Sequence, residues 1–434
     1  DLIHLTTCQT VQLHNLKPDA VFDIMEQALD HGIVTMGGGG DFPRNVMMSP
    51  LSGTEEEYFD VLPYAEAAAD YLMNFINAEK MPRKLKVGFS NGPANVSHAT
   101  FRDLGFAARP DGLFDVYSAG GLGANPKFGV KVAEGINPDQ VLYYIRAMWE
   151  TFRAYGNYEN RAKARTRYMQ ETLGQDGYRK AFLEKLEGVY QSGEDLTIEM
   201  NENGITKTGD GSLAEGQWIS QQKQPGLYRC HYYPIGGSIK PYKFREIYDI
   251  IRDMDQVELR LSPDESLYVI NLTGREAQKV QKVLSDGART VFETSVACIG
   301  ASICQVGVRD SQKLLQSAVK AVRDADLPDG VLPQIHISGC PSSCGTHQIG
   351  AIGFRGGVKM IDKKPQPAFV LFYNGCDRQG SEQMGKEIGV MLEEDIPQFL
   401  IELGSTVRDS GMDFAAWVHR MPEGVERIAS SYLR

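Results

Sequence analysis

The sequence predicts an α+β protein built from two similar halves. Strand-like and helix-like segments alternate along most of the 434 residues, which is typical of layered α/β and α+β folds. One short pattern occurs twice, and a polar, glycine-rich stretch at 200–216 separates the two copies. A chain of this length is expected to form two or more domains with ample core. Hydrophobic residues at 42% and charged residues at 23% are the usual proportions of a globular protein.

The repeated pattern supports a duplication. Residues 5–16 read LTTCQTVQLHNL and residues 261–272 read LSPDESLYVINL, so a constant offset of 256 aligns Leu5 with Leu261 and Asn15 with Asn271. Each copy leads into an amphipathic helix, predicted at 18–32 and at 275–287, and each helix closes on a glycine. The alternative is that two strand–helix units resemble each other by chance.

Further elements follow in order along the chain. After the first copy come a glycine-rich loop and a long helical stretch. The segment KLKVGFSN at 84–91 predicts a strand, and DVYSAGGLGANP at 115–126 predicts a strand that ends in a glycine loop. Apolar residues at helical spacing predict helices at 55–79, 138–156, 161–174, 240–254 and 311–326. Strands are predicted around 226–239, 257–263 and 266–272.

Charge and composition exclude several classes of function. The net charge is −11, whereas a nucleic-acid-binding protein usually has a basic surplus. The sequence contains no apolar run close to the ~20 residues that span a bilayer. We therefore expect a cytoplasmic protein with neither a nucleic acid nor a membrane partner. Because the first residue is Asp1, in a strand-like segment, we also expect a missing N-terminal piece.

The cysteines suggest a metal centre. Four of the seven fall within 47 residues, as Cys298-x5-Cys304 and Cys340-x3-Cys344. Zinc sites usually contain CxxC pairs, whereas four thiolates can hold the larger 4Fe–4S cluster. Nearby glycines and serines allow close backbone approach and N–H donation to sulfur. The spacing favours the cluster, and a zinc site and ordinary buried cysteines stay open as alternatives.

CIGASIC at 298–304 and GCPSSC at 339–344 resemble the cluster motif of the siroheme-dependent sulfite and nitrite reductases. The segments LTTCQTVQLHN, RNV, PRKLK, GGLG, NRAKAR and QPGLYRCHYYPIGG occur in that family's order. The resemblance covers essentially the whole chain. It implies two pseudo-symmetric halves, each with a ferredoxin-like half-domain and an α/β domain that binds siroheme or the cluster. The implied domains are a truncated first half-domain at 1–36, a siroheme-binding domain at 37–199, a linker at 200–216, a second half-domain at 217–287 and a cluster domain at 288–434.

The resemblance also implies cofactors and site residues. The four cysteines would hold one 4Fe–4S cluster, and Cys344 would also ligate the siroheme iron. Arg44, Lys84 and Lys86 would bind and protonate a small oxyanion, and the two lysines lie on the same face if their segment is a strand. Candidates for binding the siroheme carboxylates are Gln9, Gln12, His14, the glycines Gly120, Gly121 and Gly123, and the basic residues Arg161, Lys163 and Arg165.

Two residues depart from the family pattern. Cys8 stands where the family commonly has an arginine, so it either weakens one cofactor contact, places a soft ligand near the cofactor, or is a packed small residue. Ser342 stands where an asparagine is common. A further family arginine would lie upstream of Asp1.

The implied activity is six-electron reduction of sulfite, because the Lys-x-Lys pair resembles the sulfite enzymes. Nitrite reduction to ammonia, a non-catalytic cofactor-binding homologue and a zinc-stabilised interaction protein are the alternatives. The sequence shows no convincing flavin or nicotinamide motif, so we expect electrons from a ferredoxin or a reductase subunit.

Overall fold

The computed structural model describes residues 2–76, 78, 80–199 and 204–434. These residues form four sheets, of three, four, five and five strands, with helices packed against them. The predicted α+β fold with two related halves is confirmed.

The first half contains seven strands and four α-helices. The strands are β1 (Leu2–Leu5), β2 (Val11–His14), β3 (Met47–Met48), β4 (Val87–Ser90), β5 (Leu104–Ala108), β6 (Phe114–Ser118) and β7 (Val130–Ile136). The helices are α1 (Pro18–Asp30), α2 (Leu62–Met73), α3 (Val141–Tyr155) and α4 (Met169–Gln191).

The second half adds ten strands and six helices. The strands are β8 (Ile219–Gln221), β9 (Tyr228–Tyr232), β10 (Ser238–Ile239), β11 (Glu258–Ser262), β12 (Ser266–Leu272), β13 (Val296–Ala297), β14 (Ile335–Ser338), β15 (Ile352–Ile361), β16 (Lys364–Tyr373) and β17 (Lys386–Leu392). The helices are α5 (Pro241–Ile251), α6 (Gly274–Val283), α7 (Ser311–Asp324), α8 (Ile396–Asp409), α9 (Phe414–Arg420) and α10 (Gly424–Ala429).

The two five-stranded sheets have the same topology. One has the order β3-β4-β5-β6-β7 and the other β13-β14-β15-β16-β17. In each sheet the first three strands are parallel, and the last two pair antiparallel. Each sheet buries an apolar face against its own helices, and these contacts form the two largest hydrophobic cores. The shared strand order and strand directions are the structural evidence for two pseudo-symmetric halves.

The sequence repeat is reproduced by the backbone. With an offset of 256 residues, β1 aligns with the start of β11, and β2 falls within β12. The first residue of α1 aligns with the first residue of α6. Gln9 and Glu265, which this offset aligns, both have positive φ, at 51° and 65°. Asn15 and Asn271 also match, at 61° and 62°. Since few non-glycine residues adopt this conformation, its recurrence at two aligned pairs supports the duplication.

The halves interleave at their smaller sheets. The hairpin β1–β2 belongs to the first half, but β1 also pairs with β10 from the second half, with Ile3 opposite Ile239. Leu5 is 1% exposed and joins the core of the second small sheet. Because of this exchange, the loop that follows β1 lies against the second half of the chain.

Two helix predictions need correction. The helix predicted at 55–79 is α2 alone, because carboxylates before it bind backbone instead: Asp60 accepts from the N–H of Leu62 at 3.0 Å. The helix predicted at 161–174 is wrong in its first part. Residues Arg161–Lys163 and Thr166–Tyr168 form separate 3₁₀ turns, and Arg165 between them is extended, with φ −73° and ψ 150°. Arg161, Lys163 and Arg165 therefore do not lie on one continuous helix.

The predicted linker at 200–216 lies partly outside the described residues, which exclude 200–203. Residues 204–216 contain neither helix nor strand, and Lys207 pairs with Glu276 of α6 at 2.7 Å. The domain boundaries stay a prediction. Within the described ranges, no helix combines the length and the apolar character needed to cross a membrane.

Candidate active site

The cysteine region begins at the ends of two parallel strands. Cys298 directly follows β13, and Cys340 lies two residues after β14. Parallel neighbours end at the same edge of a sheet, so the two cysteine pairs approach each other there. The Gly339 N–H donates to the Cys298 sulfur at 3.2 Å, and a backbone donor of this kind stabilises a thiolate. The Ser311 hydroxyl lies 3.2 Å from the same sulfur and donates to the Cys298 carbonyl at 2.6 Å.

The loop from Cys340 to Cys344 is followed by a close approach to the backbone of β14. A Cβ at Gly345 would lie 2.0 Å from the carbonyl oxygen of Ile337, so only glycine allows this approach. Cys340 is buried, whereas Cys344 keeps accessible surface in the cleft between the halves, although enough protein surrounds its thiol to desolvate it. The two cysteines of this loop therefore face different surroundings.

The thiols are not poised to ionise on their own. Burial raises the pKa of Cys298, and desolvation together with the nearby Cys298 raises that of Cys344 to about 12. Both would be protonated near neutral pH unless a metal replaced the proton. All seven cysteines are free. Among the described residues, no three His, Cys, Asp or Glu side chains form a group compact enough for a single metal ion.

A group of cations lies across the cleft from this loop. Lys84 and Lys86 flank the fully buried Leu85, just before β4, so both ammonium groups lie on the same side of the segment. The Lys86 ammonium donates to the Cys8 thiol at 2.8 Å. Burial lowers the pKa of Lys84 to about 8, and the charges of Lys86 and Arg165 act in the same direction. This arrangement concentrates positive charge in a chain that is acidic overall.

The first sequence motif brings the two groups together. The Thr7 hydroxyl donates to the backbone carbonyl of Cys344 at 2.7 Å, and Cys8 is the next residue along the chain. The Asn45 amide donates to the carbonyl of Cys8 at 2.5 Å. Interleaving of β1 with the second half therefore places the cation group and Cys344 in one cleft.

The buried side chain of Asp103 holds members of the cation group in place. This side chain is 1% exposed and accepts from Arg165 at 3.0 Å, from the backbone N–H of Lys86 at 2.8 Å and from the Thr166 hydroxyl. One buried carboxylate therefore fixes both the segment that carries the lysines and the extended residue Arg165.

Replacing Asp103 by asparagine should destabilise the fold. The change leaves Arg165 without its buried counter-ion, and breaking such a pair reduces the free energy of unfolding by about 3 kcal/mol. Urea titration of the variant measures this loss. Asp409→Asn, which removes an exposed partner of Arg408, is the matched control and should leave the urea midpoint unchanged. An unchanged midpoint in Asp103→Asn would contradict the role given to Asp103.

Several guanidinium nitrogens around the cleft have no partner. Nε of Arg44, Nε of Arg165, and Nε and Nη1 of Arg167 are buried without a hydrogen bond among the described residues. Arg167 lies under the glycine loop: a Cβ at Gly123 would lie 2.9 Å from its Nη2, and one at Gly121 would lie 3.6 Å from its Nη1. A buried N–H group without an acceptor is costly. These donors fit a ligand that carries several carboxylates, as siroheme does.

Arg44 is held partly by backbone. It donates to the carbonyl oxygens of Gly38 and Gly40, the latter at 2.9 Å, and burial lowers its pKa. The glycine-rich loop at 37–40 therefore orients this guanidinium rather than binding a phosphate.

The other candidates for siroheme binding are placed differently. Gln9 makes structural bonds, donating to the Leu261 carbonyl at 2.8 Å and accepting from the Met48 N–H at 2.9 Å. Gln12 and His14 contact each other at 3.2 Å. Arg161 is largely exposed and pairs with Asp41, which also holds Arg83. The carbonyl of Gly123 accepts from Gln348 of the second half at 2.9 Å. Their roles toward a cofactor stay predictions.

Three residues of the cleft, Arg102, Asp103 and Arg167, were not predicted from the sequence. The charge of Arg102 lowers the pKa of the Cys8 thiol, although the two residues are far apart in the chain. Arg167 lies two residues beyond Arg165 and could have been found by extending the basic run RAKARTR. Arg102 and Asp103 carry no local signal, because their importance comes from contacts between distant segments.

The fold defines a class of protein with two related halves, in which Cys344 of one half lies close to the cations Lys84 and Lys86 of the other. A family model described as the nitrite and sulphite reductase 4Fe-4S domain matches residues 39–189. The chain is similar to the nitrite and sulfite reductases over most of its length, and the family model matches part of its first half.

Individual relatives are similar over most of their length. A ferredoxin sulfite reductase of Mycolicibacterium paratuberculosis is 25% identical, over 98% of this chain and 77% of the relative. A ferredoxin–nitrite reductase of Synechococcus elongatus is also 25% identical, over 92% of this chain and 79% of the relative. The solved structure of the Mycobacterium tuberculosis NirA protein superposes with a TM-score of 0.77 at 22% identity, and covers 97% of this chain and 78% of its own.

Proposed function

We propose that the protein reduces sulfite to sulfide with six electrons, at a siroheme coupled through Cys344 to a 4Fe–4S cluster. The observation that carries this proposal is the position of Cys344. Its carbonyl is bound by Thr7, next to the Cys8–Lys86 pair, and the residue keeps accessible surface in the cleft. A ligand on this thiol would have the cluster cysteines on one side and the cation group near the other.

The cofactors supply the redox chemistry, which no protein side chain can provide. Cys298, Cys304, Cys340 and Cys344 are the residues that would hold the cluster, and Cys344 would be shared with the siroheme iron. The unpartnered guanidinium nitrogens of Arg44, Arg165 and Arg167 support the siroheme assignment, since they can donate to carboxylates.

Lys84, Lys86 and Arg44 would bind the oxyanion. The charges of Lys86 and Arg44 both lower the pKa of Lys84. Because burial lowers the pKa of Lys84 to about 8, this ammonium is protonated at neutral pH and can still release a proton. A donor whose pKa lies near the working pH is suited to general acid catalysis, and protons are needed as the oxygens leave as water.

Replacing Lys86 by asparagine should shift the preference from sulfite toward nitrite. Sulfite carries more negative charge than nitrite, so removal of one ammonium weakens binding of sulfite more. We expect the ratio of kcat/KM for sulfite to that for nitrite to fall by about tenfold. Steady-state kinetics with both anions measure the ratio. Lys279→Asn, on the exposed face of α6, is the matched control, and an unchanged ratio in Lys86→Asn would contradict the assignment.

Nitrite reduction to ammonia is the second candidate function. The same cations bind either anion, and the similarity to relatives named for each substrate supports both. A non-catalytic homologue is disfavoured, because the sequence retains Arg44, Lys84, Lys86 and all four cysteines.

Electrons would come from a separate protein, such as a ferredoxin or a reductase subunit. The loop around Cys304 supports this view, since Gln305 and Val306 are exposed and Val306 has 72% of its surface accessible. A donor docked on this loop would lie near the cluster. We also infer a cytoplasmic location, because seven free thiols suit a reducing compartment.

A further inference from the structure

The Cys8 thiol lies within the cation group. Lys86 donates to the sulfur at 2.8 Å, and the charge of Arg102 is close enough to stabilise the thiolate. Burial would raise the pKa of Cys8, but the charges of Lys86 and Arg102 outweigh it and lower the pKa to about 6. A cysteine bound by one cation and stabilised by the charge of a second differs from a packed small residue.

Arg102 is held in place by His98. Its Nε donates to the Ser97 carbonyl at 2.8 Å, and its Nη2 lies 3.3 Å from His98 Nδ1. A guanidinium only donates hydrogen bonds, so His98 Nδ1 accepts and the ring proton resides on Nε2. The ring is 6% exposed and stacks on Phe101 at 4.8 Å. His98 therefore has one orientation and one tautomer.

His98 in turn contacts Asp377, a residue of the second half. His98 Nε2 lies 3.2 Å from a carboxylate oxygen of Asp377. Burial opposes ionisation of Asp377, but the hydrogen bond from His98 lowers its pKa. The Asp377 backbone is fixed separately, since its carbonyl accepts from Asn95 at 2.7 Å. A change in the Asp377 side chain therefore leaves that backbone contact between the halves in place.

We propose that Cys8 is a specificity-determining residue that competes with the substrate for Lys86, and that Asp377, His98 and Arg102 position it. This proposal rests on the proposed function, because it takes Lys86 to be a substrate ligand. A Lys86 donor engaged by the sulfur is not available to the anion. A thiolate among Lys84, Lys86 and Arg102 also removes one unit of positive charge, which favours a singly charged anion over a doubly charged one.

Kinetics of the cofactor-loaded enzyme test the role of Cys8. Cys8→Ser keeps the size of the side chain and removes the thiolate. We expect its ratio of kcat/KM for sulfite to that for nitrite, at a pH where sulfite is a dianion, to rise at least about threefold. The change should appear in KM rather than in kcat. An unchanged ratio would overturn the proposal.

The rate of Cys8 alkylation tests the positioning chain. Iodoacetamide labelling, followed by mass spectrometry of the Cys8 peptide, should be slower in Asp377→Ala than in the unmodified enzyme. Asp377→Asn keeps an oxygen that accepts from His98, so its labelling rate should be close to that of the unmodified enzyme. If the negative charge of Asp377 were what mattered, Asp377→Ala and Asp377→Asn would slow labelling equally. Lys86→Ala should also slow labelling. Glu387→Ala, at an exposed ion pair with Arg355, is the control.

The two tests separate the proposals. Equal labelling rates in Asp377→Ala and the unmodified enzyme would overturn the positioning chain, whether or not the protein reduces either anion. Failure to reduce both sulfite and nitrite would instead contradict the proposed function, while the labelling rates would still report on the contact between Cys8 and Lys86.

Discussion

Cys344→Ser is expected to abolish six-electron reduction. Three cluster cysteines are buried or half-buried, whereas Cys344 is exposed in the cleft and its carbonyl is bound by Thr7. We propose on this ground that Cys344 is the residue that would contact both cofactors. A hydroxyl is a poor substitute for a thiolate as an iron ligand, so the variant should lose the electronic link between the cluster and the siroheme.

Turnover of sulfite and nitrite with an artificial electron donor measures the effect of Cys344→Ser. We expect a fall of at least about 1000-fold in kcat, as when a step needs an intact cofactor pair. The absorbance spectrum should show altered siroheme bands even if the macrocycle is retained. Cys376→Ser, at a half-buried cysteine outside the cluster set, is the control. Normal turnover in Cys344→Ser would rule out the bridging role.

Removal of Lys84 is expected to have the next largest effect. Burial and the nearby cations Lys86 and Arg165 lower the pKa of Lys84 to about 8. Below that pH the ammonium is charged and can bind the anion and donate a proton, and above it both abilities are lost. Lys84→Ala should therefore lower kcat/KM by about 100-fold or more, the usual contribution of a positioned proton donor.

The pH profile gives a sharper test of Lys84. Nitrite is the more suitable substrate for measuring this pH profile, because its charge is constant across neutral and alkaline pH. In the unmodified enzyme kcat/KM should fall as pH rises through about 8, the pKa of Lys84. In Lys84→Arg this fall should move to higher pH, since a guanidinium stays protonated. Lys279→Arg is the control, and an alkaline limb that does not move would contradict the assignment.

The sequence predicted the repeat in its correct register. Gln9 and Glu265 are aligned by the offset of 256 and share an uncommon backbone conformation. They also accept from equivalent strands, Gln9 from the Met48 N–H at 2.9 Å and Glu265 from the Ala297 N–H at 2.8 Å. Patterns within a few residues of each other carry this information, because strand and turn preferences are local.

The contacts that hold the cleft together were not predicted from the sequence. Asp103 binds Arg165 and the backbone of Lys86, and Asp377 reaches His98 across 279 residues. Such contacts follow from the way the halves interleave, and no spacing along the chain predicts them. The helix predicted at 161–174 was wrong for a related reason: Arg165 is extended and bonds to Asp103 rather than continuing a helix.

Cys8 shows what a departure from a family pattern can mean. The sequence alone allowed a weakened cofactor contact, a soft ligand or a packed small residue. The structure places its thiol 2.8 Å from the Lys86 ammonium, with Arg102 beside it. The positive charge that the family pattern predicts at position 8 is therefore absent. A positive charge near this position comes instead from Arg102, which belongs to another segment of the chain.

Side-by-side reduction of sulfite and nitrite, with an artificial electron donor, tests the central claim most directly. The purified, cofactor-loaded protein should consume six electrons for each sulfite and release sulfide, with kcat/KM higher for sulfite than for nitrite. A protein that shows siroheme bands and a full complement of cluster iron, yet reduces neither anion, would contradict this account.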